Sequence, residues 1–307
     1  MKGSRTWGVG ETPLLEIRGI SEVLTKGIRL FAKAEWFNPG GSVKDRPVLR
    51  MLQEGESAAA LLPGKTILDA VGGNAGASYA WIGARLRHKV KLVTPASIGE
   101  SRKRLLLAFG AELVLTDPRD GQYGALVEAR RIFAADPTRY FFPDQSSNPA
   151  NWRAHYETTA EEVWRQTEGR VTHFVAGLGT SGTFVGTGRR LRELNASVRL
   201  VSVEPDSALH GLEGLAHLGT AMIPAIYDPA LADEKVSVPT EAARQWIRRL
   251  ARACGILAGV SSGAALVASL RVCEAALARG EEATVVTVFP DSGERYLNES
   301  FWDGAAA

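Results

Sequence analysis

Short apolar runs rich in β-branched residues alternate along the whole chain with segments of helical period, and this alternation constrains the fold more than any other feature. Such runs are typical of buried parallel strands, and the segments between them of covering helices. The sequence therefore predicts an α/β fold with parallel-type sheets covered by helices. Seven strands are predicted, at 29–37, 66–71, 89–94, 112–116, 172–177, 199–204 and 283–289.

The length and charge of the chain restrict its partners. Its 307 residues predict about two domains, each with its own core. The net charge of +2 provides no strong field for a polyanion, so we expect a small-molecule partner rather than nucleic acid or a membrane. No stretch approaches about 20 apolar residues and the opening residues lack a signal-peptide core, so the expected location is the cytoplasm.

Metal and serine-hydrolase chemistry have no support in the sequence. The five histidines show no paired metal-ligand spacing, and neither of the two cysteines lies in one. Gly259, Ser261 and Gly263 have the Gly-x-Ser-x-Gly spacing, but no predicted strand leads directly into them, as a nucleophile elbow requires. We therefore expect no metal.

The segment 38–47, Asn-Pro-Gly-Gly-Ser-Val-Lys-Asp-Arg-Pro, follows a predicted strand and begins a helix. Ser42 is a candidate cap, which places Lys44 in the first helical turn. There the helix dipole and partial burial both disfavour the ammonium form, so some neutral amine is available as a nucleophile. Lys44 is therefore a candidate Schiff-base lysine, and the alternative is an exposed lysine after a glycine turn.

The segment 172–183 predicts a strand, a glycine-rich turn and the start of a helix. The backbone amides of such a turn bind a phosphate at the helix N-terminus, and glycine lets the phosphate approach the backbone closely. The neighbouring hydroxyl groups suit a terminal phosphate monoester. The candidate phosphate ligands are Gly179, Thr180, Ser181, Gly182 and Thr183.

The same turn also fits a dinucleotide fingerprint. Gly177, Gly179 and Gly182 have the G-x-G-x-x-G spacing, and Glu204 ends the next predicted strand, where an acid would bind a ribose. A nicotinamide-dependent oxidoreductase is therefore an alternative, although it gives the Lys44 segment no role.

Two further helix starts carry candidate ligands. Asn74 lies in a glycine-rich turn after the strand at 66–71, where free amides could bind a carboxylate. Ser261 could present its hydroxyl to a ring nitrogen. Each residue could equally be a plain helix cap.

In their order along the chain, these motifs resemble those of the cysteine synthase family, the β-replacement enzymes of pyridoxal phosphate fold type II. The resemblance covers nearly the whole chain. The segment 211–228 is similar to the cysteine synthase B branch, some members of which use O-phosphoserine. The matching motif segments are 10–14, 38–46, 142–151, 177–183, 259–264 and 290–297.

The resemblance implies a two-lobed enzyme that binds pyridoxal 5'-phosphate. It implies a smaller lobe at 36–145 and a larger lobe, 1–35 plus 146–307, that binds the cofactor phosphate. The implied reaction is β-replacement on an activated L-serine, either O-acetylserine or O-phosphoserine, by a sulfur donor to give L-cysteine. A homodimer is also implied.

The resemblance also implies residue roles. Lys44 would form the Schiff base and remove the α-proton, and Asn74 would bond the ring oxygen of the cofactor. Ser261 would face the pyridine nitrogen, with Ser262 as the neighbouring alternative. Gln145 would help to bind the substrate carboxylate.

The loop 71–75 departs from the family pattern. The family usually has Thr-Ser-Gly-Asn-Thr where this chain has Val71, Gly72, Gly73, Asn74 and Ala75, so three hydroxyl groups are missing. The loop amides could still bind a substrate carboxylate, but losing one charge-assisted hydrogen bond costs about 1.5–3 kcal/mol. The alternative is therefore a relative that retains the cofactor but has an altered substrate or has lost cysteine synthase activity.

Overall fold

A computed structural model describes residues 6–71 and 73–303 of the chain. Within these residues the chain forms two β-sheets with helices packed on them. The strands are β1 (Leu14–Ile17), β2 (Ile28–Ala34), β3 (Thr66–Ala70), β4 (Val90–Pro95), β5 (Glu112–Thr116), β6 (Tyr140–Phe141), β7 (His173–Gly177), β8 (Arg199–Pro205), β9 (Glu234–Val238) and β10 (Ala283–Phe289).

The helices lie mostly between consecutive strands, as in a parallel α/β fold. They are α1 (Asp45–Ser57), α2 (Asn74–Leu86), α3 (Glu100–Ala108), α4 (Gly121–Ala135), α5 (Pro149–Ala154), α6 (Ala160–Gln166), α7 (Gly182–Leu194), α8 (Thr240–Cys254) and α9 (Val260–Ala278).

The large sheet has six strands in the order β1-β2-β10-β7-β8-β9, and the small sheet has four in the order β5-β4-β3-β6. Strand β1 pairs antiparallel with β2, and every other pairing in the two sheets is parallel. The predicted α/β class with parallel-type sheets is thereby confirmed. All four strands of the small sheet come from 66–141, whereas the large sheet takes strands from both sides of that stretch.

All seven predicted strands occur, with small shifts at their ends. The strand predicted at 29–37 ends at Ala34, because the chain turns there into a short 3-10 helix at Glu35–Phe37. Strands β1, β6 and β9 were not predicted, and each lies at the edge of its sheet. Edge strands are short and partly exposed, so they lack the continuous apolar run that marks a central strand.

The helical period of 151–168 predicts a single helix, and this prediction is wrong in one respect. The chain forms α5, a π-helical turn at His155–Thr159, and then α6. His155 is buried in the turn, and its Nδ1 is hydrogen-bonded to Thr159 Oγ1 at 2.9 Å. Single π turns often occur at functional sites, and this one faces the glycine-rich turn described below.

Helix α9 corrects the expectation that no stretch is apolar enough to span a membrane. It has 19 residues with a mean hydropathy of 1.4, and 78% of its most apolar stretch is buried inside the protein. Because α9 packs against the large sheet on one side and α8 on another, it is apolar all round. Its composition is that of a buried core helix.

The carboxyl ends of β3, β7 and β10 meet at one place between the two sheets. Strand β3 leads into the loop before α2, and β7 leads into the turn before α7. After β10, the carbonyl oxygen of Pro290 accepts a hydrogen bond from the backbone N–H of Val43 at 2.8 Å. This contact brings the segment before α1 to the same place, which is where parallel α/β folds bind their ligands.

Candidate active site

Lys44 lies immediately before α1 and is half-buried. The sequence placed it in the first helical turn, and the structure places it one residue earlier, at the helix cap. Its backbone N–H donates to Ser42 Oγ at 3.3 Å. Burial lowers the pKa of the Lys44 ammonium to about 8. More neutral amine is therefore present near neutral pH than for an ordinary lysine, as a nucleophilic lysine requires.

The glycine-rich turn after β7 has no room for a side chain at Gly179 or Gly182. A Cβ on Gly179 would lie 2.3 Å from the carbonyl oxygen of Gly214, and one on Gly182 would lie 2.0 Å from Asn151 Oδ1. Ser181, which precedes α7, has a buried hydroxyl without a hydrogen-bond partner. The backbone amides of a helix N-terminus and an unpartnered hydroxyl suit a phosphate group.

Two side chains that sequence reasoning missed hold this turn in place. Asn151 Nδ2 donates to Thr180 Oγ1 at 3.0 Å, and His155 Nε2 is hydrogen-bonded to Thr183 Oγ1 at 3.2 Å. Burial, reinforced by the nearby Arg46 charge, lowers the pKa of His155 to about 3. His155 is therefore neutral and orients the threonine hydroxyl without adding charge.

Asn74 is the first residue of α2, and its side chain does not cap that helix. Its Nδ2 donates to Asp291 Oδ2 at 2.7 Å, and the Tyr296 hydroxyl donates to the same oxygen at 2.8 Å. Burial raises the pKa of Asp291 despite these hydrogen bonds. Asn74 Oδ1 and Asp291 Oδ1 are both buried without a partner. Asp291 belongs to the segment 290–297, which the sequence singled out without giving this residue a role.

The structure brings the residues predicted to bind the cofactor around one cleft of about 600 Å³, its open mouth included. Ser261 lies on the cleft wall. Ser262 does not line the cleft, and its buried Oγ has no hydrogen-bond partner. These features suit a phosphorylated ring compound that carries a carbonyl group. The glycine turn would bind its phosphate, the Lys44 amine would join its carbonyl carbon, and the unpartnered polar atoms would bind the ring substituents. The predicted residues lining the cleft are Lys44, Asn74, Gly179, Thr180, Ser181, Gly182, Thr183 and Ser261.

Unlike the residues predicted to bind the cofactor, the described residues predicted to bind the substrate do not line this cleft. The side chains of Val71 and Ala75 are buried in the hydrophobic core around the small sheet, so only their backbone could contact a ligand. Gln145 Nε2 donates to the carbonyl oxygen of Ala70 at 3.3 Å, at the edge of the loop 71–75. Gly73 has a φ of +69°. Gly72 lies outside the described residues.

Arg46, two residues after Lys44, is the centre of a buried charge cluster that sequence reasoning did not identify. Its guanidinium pairs with Glu35 at 2.7 Å and with Glu162 at 2.7 Å, and Lys33 pairs with Glu162 at 2.6 Å. Burial favours neutral acids, yet the hydrogen bonds and charge of Arg46 hold the pKa of Glu162 at about 2. The cluster ties the start of α1, and with it Lys44, to β2 and α6.

Glu204, the acid of the dinucleotide alternative, does not line the cleft. Its Oε2 accepts a hydrogen bond from the backbone N–H of Leu218 at 3.2 Å and so holds the segment after β8.

The cleft thus combines a lysine of lowered pKa with a phosphate turn. These features define the class of enzymes that hold a phosphorylated carbonyl cofactor through a lysine amine.

A family model described as "Pyridoxal-phosphate dependent enzyme" matches residues 6–291. The chain belongs to this family, whose members use pyridoxal 5'-phosphate, and the nicotinamide alternative is wrong.

The relatives are similar over almost the whole chain. A cysteine synthase from Aquifex aeolicus is 44% identical, with 96% of this chain and 90% of the relative covered. The solved structure of a cysteine synthase from Entamoeba histolytica has a TM-score of 0.92 at 34% identity, with 98% and 90% covered. That of an O-ureido-L-serine synthase has a TM-score of 0.90 at 33% identity, with 100% and 96% covered.

Replacing Gly179 by alanine is expected to weaken the binding of pyridoxal phosphate roughly tenfold or more. The added Cβ would meet the Gly214 carbonyl oxygen at 2.3 Å, and because this neighbour is backbone, the turn itself must shift. The measurement is the dissociation constant of the cofactor, obtained by titrating the apoenzyme. Gly99→Ala is the matched control, since nothing lies within 4 Å of its Cβ. Equal affinities for the two variants would contradict the assignment of this turn.

Proposed function

We propose that this protein makes L-cysteine by exchanging the β-substituent of O-acetylserine or O-phosphoserine for a sulfur nucleophile. The observation that carries the proposal is the single cleft that unites Lys44, Asn74, the turn 179–183 and Ser261. Relatives named cysteine synthase, similar over almost the whole chain, support the same reaction.

Each residue of the cleft has a distinct task. Pyridoxal phosphate supplies, when bound, a ring that draws off the electrons left when the α-proton of the substrate departs. The turn 179–183 would anchor the phosphate, and Asn74 would bond the ring oxygen. The neutral Ser261 hydroxyl would lie at the ring nitrogen and would not enforce a full positive charge there. This favours rapid loss of the β-substituent over racemisation or transamination.

Lys44 moves the proton in this scheme. Its amine, freed when the substrate amine takes its place, removes the α-proton as a general base. The bond from Cβ to the leaving oxygen then breaks, a bond from the sulfur nucleophile to Cβ forms, and the protonated Lys44 amine returns the proton to Cα. The lowered pKa of Lys44, about 8, increases the share of its amine that is in the neutral form at neutral pH, which is the form that a base requires.

The test supplies the holoenzyme with sulfide and, separately, O-acetylserine, O-phosphoserine and L-serine, and measures cysteine by its reaction with acidic ninhydrin. We expect cysteine from at least one activated serine and none from L-serine, because hydroxide is a poor leaving group. The responding compound identifies the leaving group. Absence of cysteine with both activated serines would overturn the proposal.

The loop 71–75 favours a second candidate, a relative with an altered substrate. One solved structure similar to all of this chain is an O-ureido-L-serine synthase, so the fold accommodates another product. A synthase of that kind would turn over an activated serine with a nucleophile other than sulfide. Parallel assays with O-acetylserine and either sulfide or hydroxyurea distinguish the two candidates.

Restoring the family hydroxyls with Val71→Thr, Gly72→Ser and Ala75→Thr together is expected to leave kcat/KM for O-acetylserine within about threefold. Val71 and Ala75 are buried in the core, so new hydroxyls there would be desolvated instead of reaching substrate. The free energy of unfolding should fall by about 1–3 kcal/mol for each unpaired hydroxyl. Steady-state kinetics and urea unfolding measure the two effects. A tenfold gain in kcat/KM would favour the altered-substrate candidate.

We also propose that 36–145 forms a small lobe that moves against a large lobe formed by 1–35 and 146–307. The distribution of the two sheets supports this division.

The proposed assembly is a homodimer, for which light scattering should give twice the chain mass of 33.0 kDa. Cytoplasmic location is the accompanying proposal, supported by Cys254 and Cys273, which are both free thiols.

A further inference from the structure

One wall of the cleft carries a carboxylate, although the cleft is proposed to bind anionic ligands. Glu213, in the segment after β8, is the acidic residue among the described residues that line the cleft. The same cleft holds the phosphate turn, and the proposed substrate brings a second anion, its α-carboxylate. A negative charge there repels both ligands unless a cation neutralises it.

Arg102 is that cation. It lies on α3, and its guanidinium forms an ion pair with the Glu213 carboxylate. The Arg102 side chain is only 17% exposed, against 45% for Glu213. Its guanidinium also lies 5.5 Å from the centre of the Tyr296 ring, and its Nε is buried without a partner. The cation is thus held near the cleft with hydrogen-bonding capacity to spare.

The ion pair lies against the loop that the substrate carboxylate is expected to use. A Cβ on Gly73 would lie 2.7 Å from Glu213 Oε1 and 3.3 Å from Arg102 Nη1. Gly73 directly precedes α2, whose first turn contains no acidic residue. The Glu213 carboxylate therefore lies beside the N-terminus of α2, where a helix favours an anion.

We propose that Arg102 recognises the carboxylate of the amino-acid substrate, and that Glu213 occupies this cation until the substrate displaces it. The inference rests on the proposed function and deepens it. A guanidinium supplies paired donors for a carboxylate, which offsets the three hydroxyl groups that the loop 71–75 lacks. Because Glu213 competes with the substrate for one cation, the pair sets both affinity and selectivity for amino acids.

The test compares two ligands that differ only in the carboxylate. L-Alanine has an amine and a carboxylate but no β leaving group, and L-alaninamide lacks the negative charge. Both are titrated into the holoenzyme and followed by the visible absorbance of the cofactor. Arg102→Met should weaken L-alanine binding about tenfold or more and change L-alaninamide binding less than twofold.

Glu213→Gln should have the opposite effect and tighten L-alanine binding about threefold or more, because the competing anion is gone. Added to Arg102→Met, it should recover part of the lost affinity, since an unpaired Glu213 carboxylate repels the ligand. The matched controls are Arg104→Met, whose side chain is 78% exposed on the same helix, and the exposed Asp206→Asn. Both controls should bind the two ligands as the unchanged protein does.

Two outcomes overturn the inference. Arg102→Met could weaken both ligands equally, or Glu213→Gln could weaken L-alanine binding; either result assigns the pair a purely structural role. Failure of the proposed function gives a different result. In that case the carboxylate selectivity still depends on Arg102, but neither activated serine yields cysteine with sulfide.

Discussion

Replacing Lys44 by alanine is expected to lower the rate of cysteine formation by about a thousandfold or more. Lys44 is the lysine among the described residues lining the cleft, and burial lowers its pKa to about 8. The variant loses both the amine that joins the cofactor and the base that removes the α-proton. Because the phosphate turn is untouched, the variant should still bind pyridoxal phosphate, although without a covalent bond.

Borohydride reduction separates these two effects of Lys44→Ala. In the unchanged protein, reduction should fix the cofactor mass on the peptide that contains Lys44, and mass spectrometry should find no such addition in the variant. Lys89→Ala replaces an exposed lysine before β4 and serves as the control, with activity and labelling unchanged. Labelling at another lysine, or retention of more than a tenth of the activity, would remove Lys44 from its assigned role.

The second large effect is on stability. Replacing Arg46 by methionine should lower the free energy of unfolding by about 3–5 kcal/mol, because two buried carboxylates lose their shared cation. The Arg46 side chain is 1% exposed and pairs with both Glu35 and Glu162. Of the cations in this cluster Lys33 then remains, and it pairs with Glu162 at 2.6 Å, whereas Glu35 has lost its ion pair. Urea unfolding followed by circular dichroism, at saturating cofactor, measures the loss.

Arg50→Met is the matched control for Arg46→Met, since both residues belong to α1. Arg50 pairs with Glu54 and Glu157, but its side chain is 31% exposed, so its removal should cost less than about 1 kcal/mol. Adding Glu35→Gln to Arg46→Met should recover part of the stability by removing one uncompensated charge. If the Arg46 and Arg50 variants are equally stable, the buried cluster does not stabilise the start of α1.

Local patterns in the sequence predicted the central strands and the edge strand β5 well, but they missed the other three edge strands. Strands β3, β7 and β10 are buried apolar runs, so their position could be read directly. Strand β9 alternates exposed and buried residues over Glu234–Val238, and β6 has only two residues. Such edge strands form because a neighbouring strand offers free backbone groups, and that neighbour is not visible in the strand's own sequence.

The sequence by itself determined the α/β class, the segment around Lys44 and the glycine turn, because each depends on residues close together in the chain. Only the tertiary structure decided which distant groups meet. Asn74 and Asp291 are 217 residues apart, and Arg102 and Glu213 are 111 apart. Their contacts follow from strand order and from the packing of the two sheets around one cleft. No periodicity or turn signal in a single sequence encodes that packing, so these partners became visible only in the folded chain.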